Sequence, residues 1–353
     1  MNLLSLPFLL LSLLPSSFAL SYHCADFSSL PVLEATGQTY TDYGVIKPYE
    51  DILASRGTNL ARIRVWTAGD YNLTASLALA KRAVRAGMEV YVDLHFSDSW
   101  ADPGKQYIPA AWPTNLTGLI PTIHNYTRDL VTAFAEQGTP ITFIAIGNEI
   151  NSGILWPVGE ISVSGFTPLS QLLHSAATGV RAALSPPPKI MIHLANGWDW
   201  GGVSWWYNGT LDASIAGGLT LADIDTMGFS FYPFYGTTAT LENLKESMGN
   251  VSTLYHKDFM VVETDWPANC TGTALSEPTV PISIQGQETW VSDIRNVLLE
   301  VDSISPVAKA LGICYWEPGW IGNAALGSSC ADNLLVTPTG AMRMSMDMFW
   351  EDM

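Results

Sequence analysis

Two glutamates close apolar runs. Glu149 ends "ITFIAIGNE" (141–149), and Glu263 stands in "DFMVVETDWP" (258–267). A carboxylate is costly to bury, so a core strand does not end on one without cause. Either each strand emerges into solvent and its glutamate is an ordinary exposed charge, or each points a carboxyl into a cleft for acid–base work. Cleavage of a glycosidic bond needs two carboxyls. One protonates the leaving oxygen, and the other attacks the anomeric carbon or activates water. Different surroundings must then keep the acid protonated and its partner ionised.

Other polar residues close similar runs: Arg64, His95, Asn148, His193 with Asn196, Tyr232, and Trp316 with Glu317. Arg64 and Tyr232 are the groups expected to hold Glu263 as an anion, through a nearby cation and a hydrogen bond. Asn148 is expected to donate to a sugar 2-hydroxyl. The plain alternative for Arg64 is a buried structural salt bridge. For His95 and His193 it is a packed histidine of the core or cleft wall, with substrate contact as the other reading. No H-x-x-x-H pair or cysteine cluster offers zinc-ligand spacing, so a zinc site is not expected. No G-x-S-x-G follows any run, which argues against a serine triad.

These residues need a frame to bring them together. The runs are 21–26, 59–66, 88–96, 141–149, 189–195, 223–233, 258–267 and 311–318, with helical stretches between them. One of these, "ASLALAKRAVRAG", is amphipathic and stops at Gly87. Strand–helix alternation predicts a parallel sheet with crossover helices. Eight such units predict a single closed (β/α)₈ TIM barrel, an α/β fold. An open doubly wound sheet would carry a Gly-rich phosphate loop after an early strand, and none is present. In such a barrel the active site lies at the C-terminal strand ends. Glu149 on strand 4 and Glu263 on strand 7 then face each other across one mouth.

The chain has 353 residues, of which 48% are hydrophobic. No linker or repeat divides it, so one catalytic domain over 20–353 is expected. Residues 1–19 read as a secretory signal peptide: a leucine-rich core, then Ser17 and Ala19 in an A-x-A-like pattern, although no Lys or Arg precedes the core. The formal charge is −17 with only 16 Lys plus Arg. That argues against nucleic acid and anionic membrane partners. Thirteen tryptophans fit core filling in part, and sugar stacking for the remainder. N-x-S/T sequons at Asn72, Asn115, Asn125, Asn208, Asn250 and Asn269 accord with a eukaryotic secretory route. A secreted, extracellular monomer is expected.

The stretches "ARIRVW", "VYVDLHFSDSWADP", "IAIGNEINSGILWP", "IMIHLANGWDWG", "GFSFYPFY", "VVETDWP" and "YWEPGWIGNAALGSSCADN" resemble the fungal-type arabinogalactan endo-β-1,4-galactanases of glycoside hydrolase family 53. The resemblance covers the mature chain. It implies a retaining (β/α)₈ enzyme acting on β-1,4-galactan in type I arabinogalactan. Glu149 would be the acid/base and Glu263 the nucleophile. Trp100 and Trp316 would be sugar-stacking walls, and Asp199 would lie in a substrate-side loop. It also implies a Cys270–Cys330 disulfide in place of calcium, with no required metal and no cofactor. Two departures are "HCAD" on strand 1, where the family often has Gly, and "VETDWP", where Asn often follows Thr. Cys24 and Cys314 fall on neighbouring strands and are expected as buried free thiols, a bridge being the alternative. Two other readings stay open. One is another β-glycanase, such as a mannanase or cellulase. The other is a sugar-binding barrel without catalysis.

Overall fold

The eight predicted runs form eight strands in the computed structural model, which describes residues 20–183, 187–236, 238–304 and 307–353. The strands are β1 (Tyr22–Asp26), β2 (Leu60–Val65), β3 (Glu89–Leu94), β4 (Ile141–Ala145), β5 (Lys189–Leu194), β6 (Thr226–Ser230), β7 (Asp258–Thr264) and β8 (Ala310–Tyr315). Each pairs in parallel with its neighbours, and β1 also pairs with β8, which closes the barrel. The signal peptide read over 1–19 lies outside the described residues. Among the described residues, no helix is long and apolar enough to cross a membrane.

Two apolar layers hold the fold. A large one fills the space between strands and helices. A second fills the barrel itself, with Cys24, Leu60, Tyr91, Phe143, Met191, Met260 and Leu311 among its members. Every strand except β6 contributes to it. Gly228 of β6 adds no side chain, because a Cβ there would stand 2.5 Å from Met191 Sδ. Three of the long helices start on side-chain caps: Asn72 accepts from Ala75 N, Asn115 from Gly118 N, and Thr240 from Asn243 N. Such caps satisfy helix N–H groups that have no partner within the helix. Two of the six sequon asparagines thus also start helices. Asn115, Asn125, Asn208 and Asn269 are exposed.

The expectation of free thiols at Cys24 and Cys314 is corrected. The two form a disulfide, with Cα atoms 4.1 Å apart. Barrel closure explains this: β1 and β8 pair with Cys24 directly opposite Cys314. Cys270 and Cys330 also form a disulfide. It ties the segment after β7 to the long loop after β8, beside the backbone bridge of Asn269 with Asp332.

Candidate active site

Glu149 does not sit on a strand. β4 stops at Ala145, and the chain turns at Gly147 with φ +127°. A Cβ at Gly147 would come within 2.5 Å of Ile150 Cγ2, so the turn depends on glycine. Glu149 itself is left-handed, at φ +48°. For a residue with a Cβ that costs roughly 1–2 kcal/mol, and the packed turn maintains it. On the other side, β7 slips against β6: Phe229 pairs with Val261, but Ser230 pairs with Glu263. The extra residue is a bulge, a device that re-aims side chains. Here it brings Glu263 level with the end of β6.

Both glutamates line one cleft of about 570 Å³. Glu263 is held by two donors. Arg62 Nη2 reaches Oε1 at 2.6 Å, and the Tyr232 hydroxyl donates to Oε2 at 2.9 Å. Arg62 also pairs with Asp26 at 2.7 Å and Asp93 at 3.0 Å. It donates to Asn148 Oδ1 at 2.9 Å as well. Glu149 has a different setting. Its Oε1 lies 2.6 Å from Ser230 Oγ. Burial first, and the charge of Glu263 next, push its pKa up to about 8. One carboxyl is thus paired with a cation, and the other is biased toward holding a proton. An acid and a nucleophile need that division.

The cation beside Glu263 was expected to be Arg64, and the structure corrects this to Arg62. Both point into the barrel, as residues two apart on a strand do. Arg64 pairs instead with Glu317 at 2.5 Å, just beyond β8. Its guanidinium also lies 4.5 Å from the centre of the Trp100 ring. Tyr232 takes the place expected for it. Asn148 lines the cleft and donates one Nδ2 proton to Ala101 O at 2.8 Å. Its amide carries a second Nδ2 proton.

His95 also lines the cleft. Its Nδ1 accepts from Ala101 N, and its Nε2 faces Asp93 at 3.3 Å. Burial pulls its pKa below the ordinary value, against the pull of Asp93. His193 does not reach the cleft. It is fully buried between Asp93 and Ser230, so the expectation of substrate contact gives way to a packed position. Asp199 stands outside the cleft lining and caps the helix Trp200–Thr210. Trp100 and Trp316 form a half-buried aromatic wall, 6.2 Å apart and edge to face. Trp320 stacks on Trp100 at 5.9 Å. Trp198 and Tyr235 complete the walls, and Leu326 and Gly327 come from the disulfide-tied loop. Arg62, Asp93 and Ser230 were missed in the sequence. The signal for Arg62 was present, since "ARIRVW" puts two arginines on one strand face.

A family model described as "Glycosyl hydrolase family 53" matches residues 22–349. The chain belongs to glycosyl hydrolase family 53. It is 44% identical to an arabinogalactan endo-β-1,4-galactanase of Thermothelomyces thermophilus, over 94% of this chain and 99% of that one. It is 45% identical to arabinogalactan endo-β-1,4-galactanase A of Aspergillus niger, over 93% of this chain and 94% of that one. Among solved structures, a fungal β-1,4-galactanase superposes with a TM-score of 0.89 at 43% identity, covering 94% of this chain and all of that one. Xylanase 10B of Thermotoga maritima shares the fold alone, at 13% identity and a TM-score of 0.61.

One carboxyl of this family 53 hydrolase is unlike the others. Asp265, two residues after Glu263, is fully buried, and neither oxygen has a hydrogen-bond or ion-pair partner among the described residues; buried Asp93, by contrast, faces Arg62 and two histidines. Burial, then the charge of Glu263, pushes it well above the usual carboxylate range. A raised folded-state pKa gives stability that is present below the unfolded value and lost as pH rises through the folded one. Asp265→Asn removes that loss. Its melting temperature should match wild type near pH 3 and exceed it by a growing margin toward pH 7, roughly 2–4 °C per kcal/mol. Calorimetry across that range checks this. A constant offset would mean that Asp265 has no such shift.

Proposed function

We propose that the protein is a secreted, endo-acting hydrolase that cleaves β-1,4-galactosidic bonds of type I arabinogalactan with retention. One observation carries the chemistry. Two glutamates line one cleft, one held by Arg62 and Tyr232 and the other biased toward its protonated form by burial. Glu263 attacks the anomeric carbon while Glu149 protonates the leaving oxygen. Glu149 then takes a proton from the water that releases the sugar. The Asn148 amide binds the 2-hydroxyl. The substrate rests on the relatives named arabinogalactan endo-β-1,4-galactanases at 44–45% identity over nearly the whole chain. Secretion rests on the leader read over 1–19 and on the sequons.

Galactose carries an axial 4-hydroxyl, so a β-1,4-galactan chain leaves each sugar in a different direction from cellulose or mannan. Trp100 and Trp316, which line the cleft, form the wall that follows this bend. Purified galactan, mannan and cellulose should therefore be hydrolysed at very different rates, galactan fastest, with viscosity falling before much reducing sugar appears. Faster cleavage of mannan or cellulose would reject the substrate. Trp316→Ala should lower kcat/KM on galactan by roughly tenfold or more, about 1.4 kcal/mol per decade. Steady-state kinetics on a defined galactan would show it.

A further inference from the structure

Behind Glu149 lies a buried series of side chains that the chemistry above does not use. Ser230 Oγ stands 2.6 Å from Glu149 Oε1. His193 Nε2 lies 2.9 Å from the same Oγ. On its far side, His193 Nδ1 faces Asp93 Oδ1 at 3.6 Å. Ser230 is 1% exposed, and His193 and Asp93 are 0% exposed, so bulk water does not compete for these contacts. Asp93 also pairs with Arg62, and Arg62 with Glu263. One run of side chains thus connects the two glutamates beneath the cleft floor.

We propose that Ser230 and His193 are positioning residues that keep the catalytic proton on Glu149. This rests on the reading of Glu149 as the acid/base. Counting protons gives the direction. Asp93, beside Arg62, is held well below the usual carboxylate range and can only accept. An anion facing Nδ1 favours the imidazole tautomer with its proton on Nδ1. Nε2 is then an acceptor, and the Ser230 hydroxyl donates to it. Ser230 Oγ is left to accept from Glu149, and only the protonated acid can donate. When Glu149 gives up its proton, the hydroxyl must turn to donate to the new anion. With the proton still on Nδ1, the Nε2 lone pair then faces the Ser230 oxygen with no proton between them, and moving that proton to Nε2 would leave the Nδ1 lone pair against the charge of Asp93. The protonated acid is therefore the state that the series favours.

This acts in the same direction as burial and the Glu263 charge, the two largest influences on Glu149. A Ser230 hydroxyl that donates to the Glu149 anion opposes the effect, as does Arg62, and Asp102 adds to it; the proton on His193 Nδ1 is what turns that hydroxyl toward Nε2 instead. The Tyr232 and Tyr235 hydroxyls also lie within its field.

The test compares Ser230→Ala and His193→Gln with wild type and Glu149→Gln, on galactan and on a dinitrophenyl β-galactoside whose leaving group needs no acid. Ser230→Ala should lose roughly tenfold on galactan, a part of the 10²–10⁴ that general acid catalysis supplies. It should lose much less on the activated substrate. The basic limb of its kcat/KM profile on galactan should move to lower pH. His193→Gln should show the same pattern, and circular dichroism confirms that both variants fold. Equal losses on both substrates, or a basic limb that stays or moves up, would overturn the proposal. The Glu149→Gln control separates the two ideas. If it shows no dependence on leaving group, the acid assignment itself fails. If it does and Ser230→Ala does not, only the positioning role fails.

Discussion

Glu263→Ala should abolish galactan hydrolysis, with kcat falling on the order of 10⁴–10⁶-fold, as when a nucleophile is removed from other enzymes that form covalent intermediates. The loss follows from what Glu263 would do: no covalent glycosyl-enzyme forms without it. Arg62 and Tyr232 would remain, addressed to an empty position beside the anomeric carbon. A small anion suits that place. Added azide should restore cleavage of an activated aryl galactoside and yield the α-galactosyl azide, because it attacks from the side that Glu263 occupied. The wild-type enzyme should release the β-anomer first, seen by proton NMR before mutarotation. An α-anomer as first product would mean inversion, and Glu263 would then be a base for water. Residual turnover near wild type in the alanine variant would remove it from the chemistry.

The barrel was legible because its determinants are local. Eight apolar or β-branched runs separated by helical stretches leave little choice of architecture, and strand ends then place Glu149 and Glu263 at one mouth. The partners within the mouth were less legible, for physical reasons. Arg62 and Arg64 share one face of β2, and period-2 alternation cannot say which reaches Glu263. That depends on the slip of β7 against β6 near Ser230, a backbone event with no residue signature. His193 ends the same kind of run as His95, yet one is walled in and the other lines the cleft. The difference lies in Ser230, whose hydroxyl closes the space before His193. Cys24 and Cys314 are 290 residues apart. Only the closing register, in which they stand opposite each other, brings the thiols together. Asp199 sits in a stretch that reads as substrate-side, and it spends its carboxylate on a helix N-terminus.

Glu149→Gln should lower kcat on galactan by roughly 10²–10⁴-fold, the usual contribution of a general acid. The amide keeps the shape and removes the proton. A sugar alkoxide is a poor leaving group and needs that proton, whereas dinitrophenolate departs without it. Glycosylation by the aryl galactoside should therefore fall far less than hydrolysis of galactan. The pH profile gives a second reading. The acid works only while protonated, so wild-type kcat/KM on galactan should fall as pH rises through about 8, the value to which burial and Glu263 lift Glu149. That limb should vanish in the glutamine variant. Azide supplies a third reading, opposite in sign to the one at Glu263. With Glu149→Ala, azide intercepts the glycosyl-enzyme from the face where water would enter and should give the β-galactosyl azide. An α-azide here, together with a β-azide from Glu263→Ala, would exchange the two roles. An unchanged rate on galactan would leave the raised carboxyl at the end of β4 without a part in the reaction.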